Sequence, residues 1–167
     1  SSTIVLDNEG MGNLRIWFGF LPLRITHGDL IPGGTLPLAW SGFTHALLHI
    51  DYTHLILNSA WLAIFGTPVA RRYGTWPMLA VFFLGALGGA LLLSAHYLMT
   101  VNQYLVLIGA SGGVSALTGA AIRFIFQPVI VGRHPETDEP VVLGRRTAGL
   151  GDMMANVRVR TFVLVWL

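Results

Sequence analysis

Residues 73–122 read YGTWPMLAVFFLGALGGALLLSAHYLMTVNQYLVLIGASGGVSALTGAAI, fifty positions without a single Asp, Glu, Lys or Arg. A helix that crosses a bilayer needs about 20 predominantly apolar residues, so this stretch accommodates two spans and the hairpin between them. The first span is expected over residues 76–95. His96, Thr100, Asn102 and Gln103 then mark a turn at the membrane surface. The second span runs over residues 111–126, up to the stop imposed by Pro128. Upstream, residues 52–70 are also free of formal charge, with Asp51 placed as an N-cap and Gly66-Thr67-Pro68 as the exit. That helix is short for a span, and the apolar stretch 36–49 is expected at membrane level above it. A fourth apolar run, TFVLVWL, occupies residues 161–167. The pattern predicts an all-α, polytopic membrane helix bundle with about three complete transmembrane helices and part of a fourth.

Composition points the same way. Of 167 residues, 53% are hydrophobic and 11% charged, where a soluble domain carries about a quarter charged residues. Disorder is excluded by the same apolar content. The absence of cysteine removes disulfide frameworks, thiolate metal sites and cysteine nucleophiles together. All ten basic residues are arginine, but they are scattered and the net charge is only +2, so no nucleic-acid partner is expected. The lipid bilayer is the expected partner.

Arginine placement sets the orientation. If the spans alternate, Arg71, Arg72, Arg123, Arg133, Arg145, Arg146, Arg158 and Arg160 fall on one side, leaving Arg15 and Arg24 on the other. The positive-inside rule puts that richer side in the cytoplasm. The first 50 residues and the turn at 96–104 then face outward, and residues 128–160, with their Pro, Gly and mixed charges, form a solvated cytoplasmic connection. The chain opens on Ser1 and its last apolar run carries no glycine cap, basic last turn or polar tail. An internal piece of a longer membrane protein is the expectation.

Three features are candidates for chemistry. In HIDYTHLILN, His49, His54 and Asn58 follow one another at spacings that place His54 and Asn58 on one helix face, continued by Trp61. Polar side chains inside a span face a partner helix, as glue, or a water-filled cavity. Metal ligation by His49 and His54 is a weaker reading, because Asp51 is the one carboxylate nearby. The second feature is Gly109-Ala110-Ser111-Gly112-Gly113, at the outward start of a span. A serine there lies beside unpaired backbone N–H groups and the positive end of the helix dipole, which suits a nucleophile whose intermediate bears an oxyanion. Gly109, Gly113, Ser115 and Gly119 equally fit small-residue helix packing. The same residues resemble the nucleophile elbow of a soluble α/β-hydrolase. However, His134 precedes both Asp138 and Asp152, the wrong order for that triad. The third feature, the outward aromatics Trp17, Phe18, Phe20, Trp40 and Phe43, reads as a headgroup belt.

Jointly, His-x4-His-x3-Asn on one span and Gly-x-Ser-Gly opening a span two helices later resemble the rhomboid intramembrane serine proteases. HLILNSAWLAIFGTPVARRYG, with Gly66, Arg72 and Gly74, resembles the family's first-motif helix and its cytoplasmic exit. The resemblance covers residues 42–127. It implies six spans around a cavity open to the outside and an endopeptidase acting on transmembrane protein substrates. It further implies Ser111 as nucleophile, His54 and Asn58 with the Ser111 backbone N–H as oxyanion donors, His49 as a brace for the outward loop, and tight packing at Gly109, Gly112 and Gly113. No cofactor and no metal are implied.

The family's base histidine, on a glycine-rich sixth span, and its first span have no counterpart in the sequence. The outward loop lacks the Trp-Arg pair of many members, and Ser115 stands where several carry an aromatic. On this reading residues 1–167 are one partial rhomboid-like domain. It comprises an outward segment (1–50), motif-bearing helices (51–127), a cytoplasmic loop (128–160) and the start of a truncated span (161–167). The parent is expected to be a protease in the bacterial inner (plasma) membrane, and the fragment alone inactive. A catalytically dead relative that binds membrane clients, or a transporter or channel fragment, are the competing readings.

Overall fold

The computed structural model describes residues 8–100 and 105–166. Asn102 and Gln103, half of the polar turn expected at the membrane surface, lie outside the described residues, as do residues 1–7 and Leu167. The chain is mostly helical. Its internal contacts group it into two units, Ser1–Leu117 and Thr118–Leu167, with the boundary inside a helix.

The first unit begins with α1 (Asn8–Phe18), α2 (Arg24–His27), a 3₁₀ turn over Gly28–Leu30, α3 (Leu38–Thr44) and a second 3₁₀ turn over His45–Leu47. A helix leaves its last four carbonyls without intrahelical partners, and α1 has each of them met. Arg15 O accepts from the Gly19 N–H (3.0 Å). Ile16 O accepts from Arg24 Nη2 (2.8 Å), Trp17 O from Trp40 Nε1 (2.8 Å) and Phe18 O from Thr44 Oγ1 (2.8 Å). Arg24 is 0% exposed, and its Nη1 also donates to the carbonyls of Pro32 (3.0 Å) and Gly34. One buried guanidinium thus holds the end of α1 and the 32–34 turn together. Phe20, expected in the headgroup belt, is instead 7% exposed and packs near the His45 ring, 6.5 Å between centroids. Its backbone makes a pair of hydrogen bonds with Leu107 (3.0 and 2.8 Å), and that pairing carries the ring inward.

Three longer helices follow. α4 (Tyr52–Tyr73) starts where the sequence predicts, with Asp51 accepting the His54 N–H at 2.7 Å. It does not end at Gly66-Thr67-Pro68 but runs through Pro68 to Tyr73. The actual stop is Gly74, whose φ of +94° suits glycine and whose N–H bonds Ala70 O at 2.8 Å. α5 (Thr75–Thr100) outruns the expected 76–95. Its polar residues turn their hydroxyls back onto the helix, Ser94 Oγ to Ala90 O (2.8 Å) and Thr100 Oγ1 to His96 O (2.9 Å), so they do not break it. α6 (Ser111–Ile125) lies within one residue of expectation. Of the described helices, only α5 is long and apolar enough by itself to cross a membrane. α4 has 22 residues but carries His54, Asn58, Arg71 and Arg72, and α6 has 15.

α5 packs against both α3 and α4. Phe65 and Val69 of α4, Phe82, Ala86 and Ala90 of α5, and Val114 and Leu117 of α6 are buried. The crossing of α5 and α6 is built on glycine. A Cβ on Gly112 would stand 3.0 Å from Gly85 O, and one on Gly113 only 2.5 Å from a Phe82 ring carbon. Gly119 has open space around it, so the small-residue stripe is used at its first half alone.

The second unit departs from the all-α expectation. After α6, β1 (Val129–Arg133) and β2 (Pro140–Arg145) form an antiparallel hairpin with a bulge between Ile130 and Val131. α7 (Leu150–Ala155) and α8 (Val157–Trp166) complete it, α8 beginning before the predicted run at residue 161. Runs rich in β-branched residues, VIVGR and PVVLGR, favour strands. The intervening turn is closed by the His134 N–H on Glu139 O (2.8 Å), with Asp138 at φ 55°. Arg123 and Ala148 exchange hydrogen bonds (Ala148 N–H to Arg123 O 2.7 Å, Arg123 Nε to Ala148 O 3.0 Å), which brings the chain back beside α6.

Candidate active site

The two sequence motifs meet in the first unit. The N-cap at Asp51 fixes the first turn of α4 and with it His54. One turn later Asn58, 7% exposed, donates from Nδ2 to His54 O at 3.1 Å, which leaves its second amide N–H for another acceptor. Trp61 stacks on Phe65 with centroids 5.7 Å apart, continuing the same helix.

On the other side stands Gly109. Its φ is +117°, and a Cβ there would come within 2.6 Å of His54 Cε1. Its N–H donates to His45 O at 2.9 Å. Backbone conformation and ring contact therefore both require glycine at this position. Two residues on, Ser111 opens α6 and is exposed. At a helix start it has unpaired backbone N–H groups and the positive dipole end beside it.

His49 completes the cluster, its ring edge-on to His54 with centroids 5.1 Å apart. Burial, and then the neighbouring His54, hold His49 below the ordinary histidine value. His49 Nε2 and His54 Nδ1 are buried without a hydrogen-bond partner. Asp51 is committed to the helix cap, and among the described residues no group of three His, Cys, Asp or Glu is placed to hold a metal ion. The structure thus sets the His54 ring against both His49 and Gly109, places Asn58 one turn along α4, and leaves Ser111 exposed. Gly112 and Gly113 serve the α5–α6 crossing.

Two residues escape a reading by motif. His45, 1% exposed, donates from Nε2 to Ala86 O at 3.2 Å while its own carbonyl receives Gly109, so it ties α5 to the turn before Ser111. The spacing His45-x3-His49 is the signal that marks it. Arg24 has no such signal, since its role depends on carbonyls at the end of α1 and in the 32–34 turn.

The Rhomboid domain family matches residues 38–143. Rhomboid protease AarA of Providencia stuartii is 28% identical over 122 residues, covering 66% of this chain and 42% of that protein. Rhomboid protease GlpG of Pectobacterium atrosepticum is 38% identical over 84 residues, covering 50% of this chain and 27% of that protein. Rhomboid-like protein 16, chloroplastic, of Arabidopsis thaliana is 41% identical over 66 residues, 39% of this chain and 19% of that protein. The chain therefore spans between 19% and 42% of these relatives' own length. No solved structure matches it significantly. With the family match covering most of the chain and both polar motifs falling inside it, the chain belongs to the rhomboid family.

Proposed function

We propose that this chain is the motif-bearing part of an intramembrane serine endopeptidase that cuts transmembrane segments of membrane proteins. The observation that carries the reading is the contact between His54 and Gly109, which brings the polar face of α4 to the residue two before Ser111. The Ser111 hydroxyl attacks the scissile carbonyl and its proton passes to a base. The carbonyl oxygen, now an oxyanion, receives the Ser111 backbone N–H, a ring N–H from His54 and the second Asn58 amide N–H. Each preorganised donor is worth about 3 kcal/mol at the transition state. His49, edge-on to His54, braces the loop before α4.

The resemblance assigns the base to a histidine on a later helix, outside residues 1–167, so residues 1–167 alone do not turn over. Arginine bias supports an orientation with residues 128–160 in the cytoplasm and the His54–Ser111 region toward the outer face. Bacterial relatives support an inner-membrane location, beside plant organellar ones.

The test is cleavage of a transmembrane reporter by the full-length parent and by residues 1–167. The parent should cut, Ser111→Ala should lose at least about a thousandfold, and His54→Ala about a hundredfold or more. Turnover by residues 1–167 alone overturns the assignment of the base. A parent that binds the reporter but never cuts it is a client-binding relative. Unchanged cleavage by Ser111→Ala removes the enzyme reading of this serine.

A further inference from the structure

At the base of the hairpin, in the second unit, lies a cavity of about 420 Å³ walled by Ile125, Phe126 and Val129 with Arg145 and Arg158. Arg145 spends its Nη1 on the carbonyls of Ile125 and Gln127 (the latter at 3.1 Å), which anchors the guanidinium at the end of α6. The ion pairs among the described residues are Arg133–Asp138 and Arg146–Asp152, so neither cavity arginine is neutralised by an acid.

The cavity continues into one face of the hairpin. Val129 pairs with Arg145 and Val131 with Val142, and cross-strand partners share a face. Val131 and Val142 are 60% and 71% exposed. A lone two-stranded hairpin is at best marginal in water, and this one presents bare valines to its surroundings. Its charge is polarised along its length. Glu136, Asp138 and Glu139 crowd the turn, whereas Arg145 and Arg158 stand at the opposite end, beside the α6 exit.

We propose that this face docks on the cytoplasmic leaflet, the Arg145–Arg158 cavity taking the phosphate of an anionic phospholipid headgroup and Val131 and Val142 entering the acyl boundary. The inference rests on the cytoplasmic orientation of residues 128–160 given above. Guanidinium groups suit phosphate because their planar donors engage two oxygens at once. The apolar strip fits a surface that is itself apolar just below its headgroups. The acidic turn fits the far end, held away from an anionic leaflet.

The experiment places an environment-sensitive fluorophore on Val142→Cys, unique within residues 1–167 because they contain no cysteine. Cysteines elsewhere in the full-length protein are replaced by serine. The protein is reconstituted in vesicles of phosphatidylcholine, or of equal parts phosphatidylcholine and phosphatidylglycerol. Emission should shift to the blue and be quenched by spin-labelled lipid in the mixed vesicles, and Arg158→Gln should weaken that preference about fivefold. Equal emission on both lipids, or indifference to Arg158→Gln, overturns the docking. If inorganic phosphate added to phosphatidylcholine vesicles reproduces the Arg158-dependent change, the cavity is a free-phosphate site and the leaflet assignment falls. A label at Asp138→Cys reports the orientation separately: reaction with a membrane-impermeant thiol reagent outside intact cells overturns the orientation. No such reaction together with a lipid-indifferent Val142 overturns the docking alone.

Discussion

Residues 15–58 hide polar groups in an apolar setting, whereas residues 129–145 display apolar groups to the outside. In the first region Arg24 and His45 are at most 1% exposed; Arg24 donates to carbonyls on both sides of it and His45 to one on α5. In the second, valines and Leu143 are exposed on a ribbon whose one ion pair, Arg133–Asp138, is itself open to solvent. Burying a polar group is tolerable only when it is hydrogen-bonded, so the first region is held by specific bonds that fix geometry. The second is held by little more than its own ladder. Precision near Ser111 and adaptability in the hairpin follow from that difference.

The contrast can be broken by substitution. Arg24→Met should strip three carbonyls of their buried donor and destabilise the protein by about 3 kcal/mol, read by chemical denaturation in micelles. A loss below about 1 kcal/mol would mean that Arg24 does not clamp the outer segment. Gly113→Ala should push a methyl into the Phe82 ring and lower stability by about 2 kcal/mol, measurable by thermal unfolding. No change there would show that the α5–α6 crossing relaxes freely. Asp138→Asn, which removes an exposed ion pair at the hairpin turn, should shift stability by no more than about 0.5 kcal/mol in the same assay. A larger loss would contradict the view that the ribbon is weakly held.

Much of this was readable in advance, for local reasons. Asp51 marked the start of α4, and the first residue of α6 was legible as a serine opening an apolar run. The motifs taken together single out His54 and the Gly109–Ser111 stretch, and the His54 ring lies close to Gly109. What failed were rules applied without their surroundings. Gly66-Thr67-Pro68 suggests an exit, but proline is tolerated inside membrane helices where neighbouring groups satisfy the freed carbonyl, and α4 stops only at Gly74. His96 and Thr100 suggest a turn, but a threonine can satisfy itself on its own helix. The hairpin was passed over because its valines lie among Pro, Gly and charges that suggest loop. Arg24 and His45 were missed because their partners are carbonyls, which leave no trace in side-chain patterning.

The end of α1 has a consequence of its own. A helix normally loosens from its tip, one carbonyl after another, because water can replace each lost bond in turn. Here three successive tip carbonyls are held by Arg24, Trp40 and Thr44, which belong to other parts of the outer segment. Loosening any one of them disturbs a residue that is also supporting something else. These residues should therefore open as a unit or not at all.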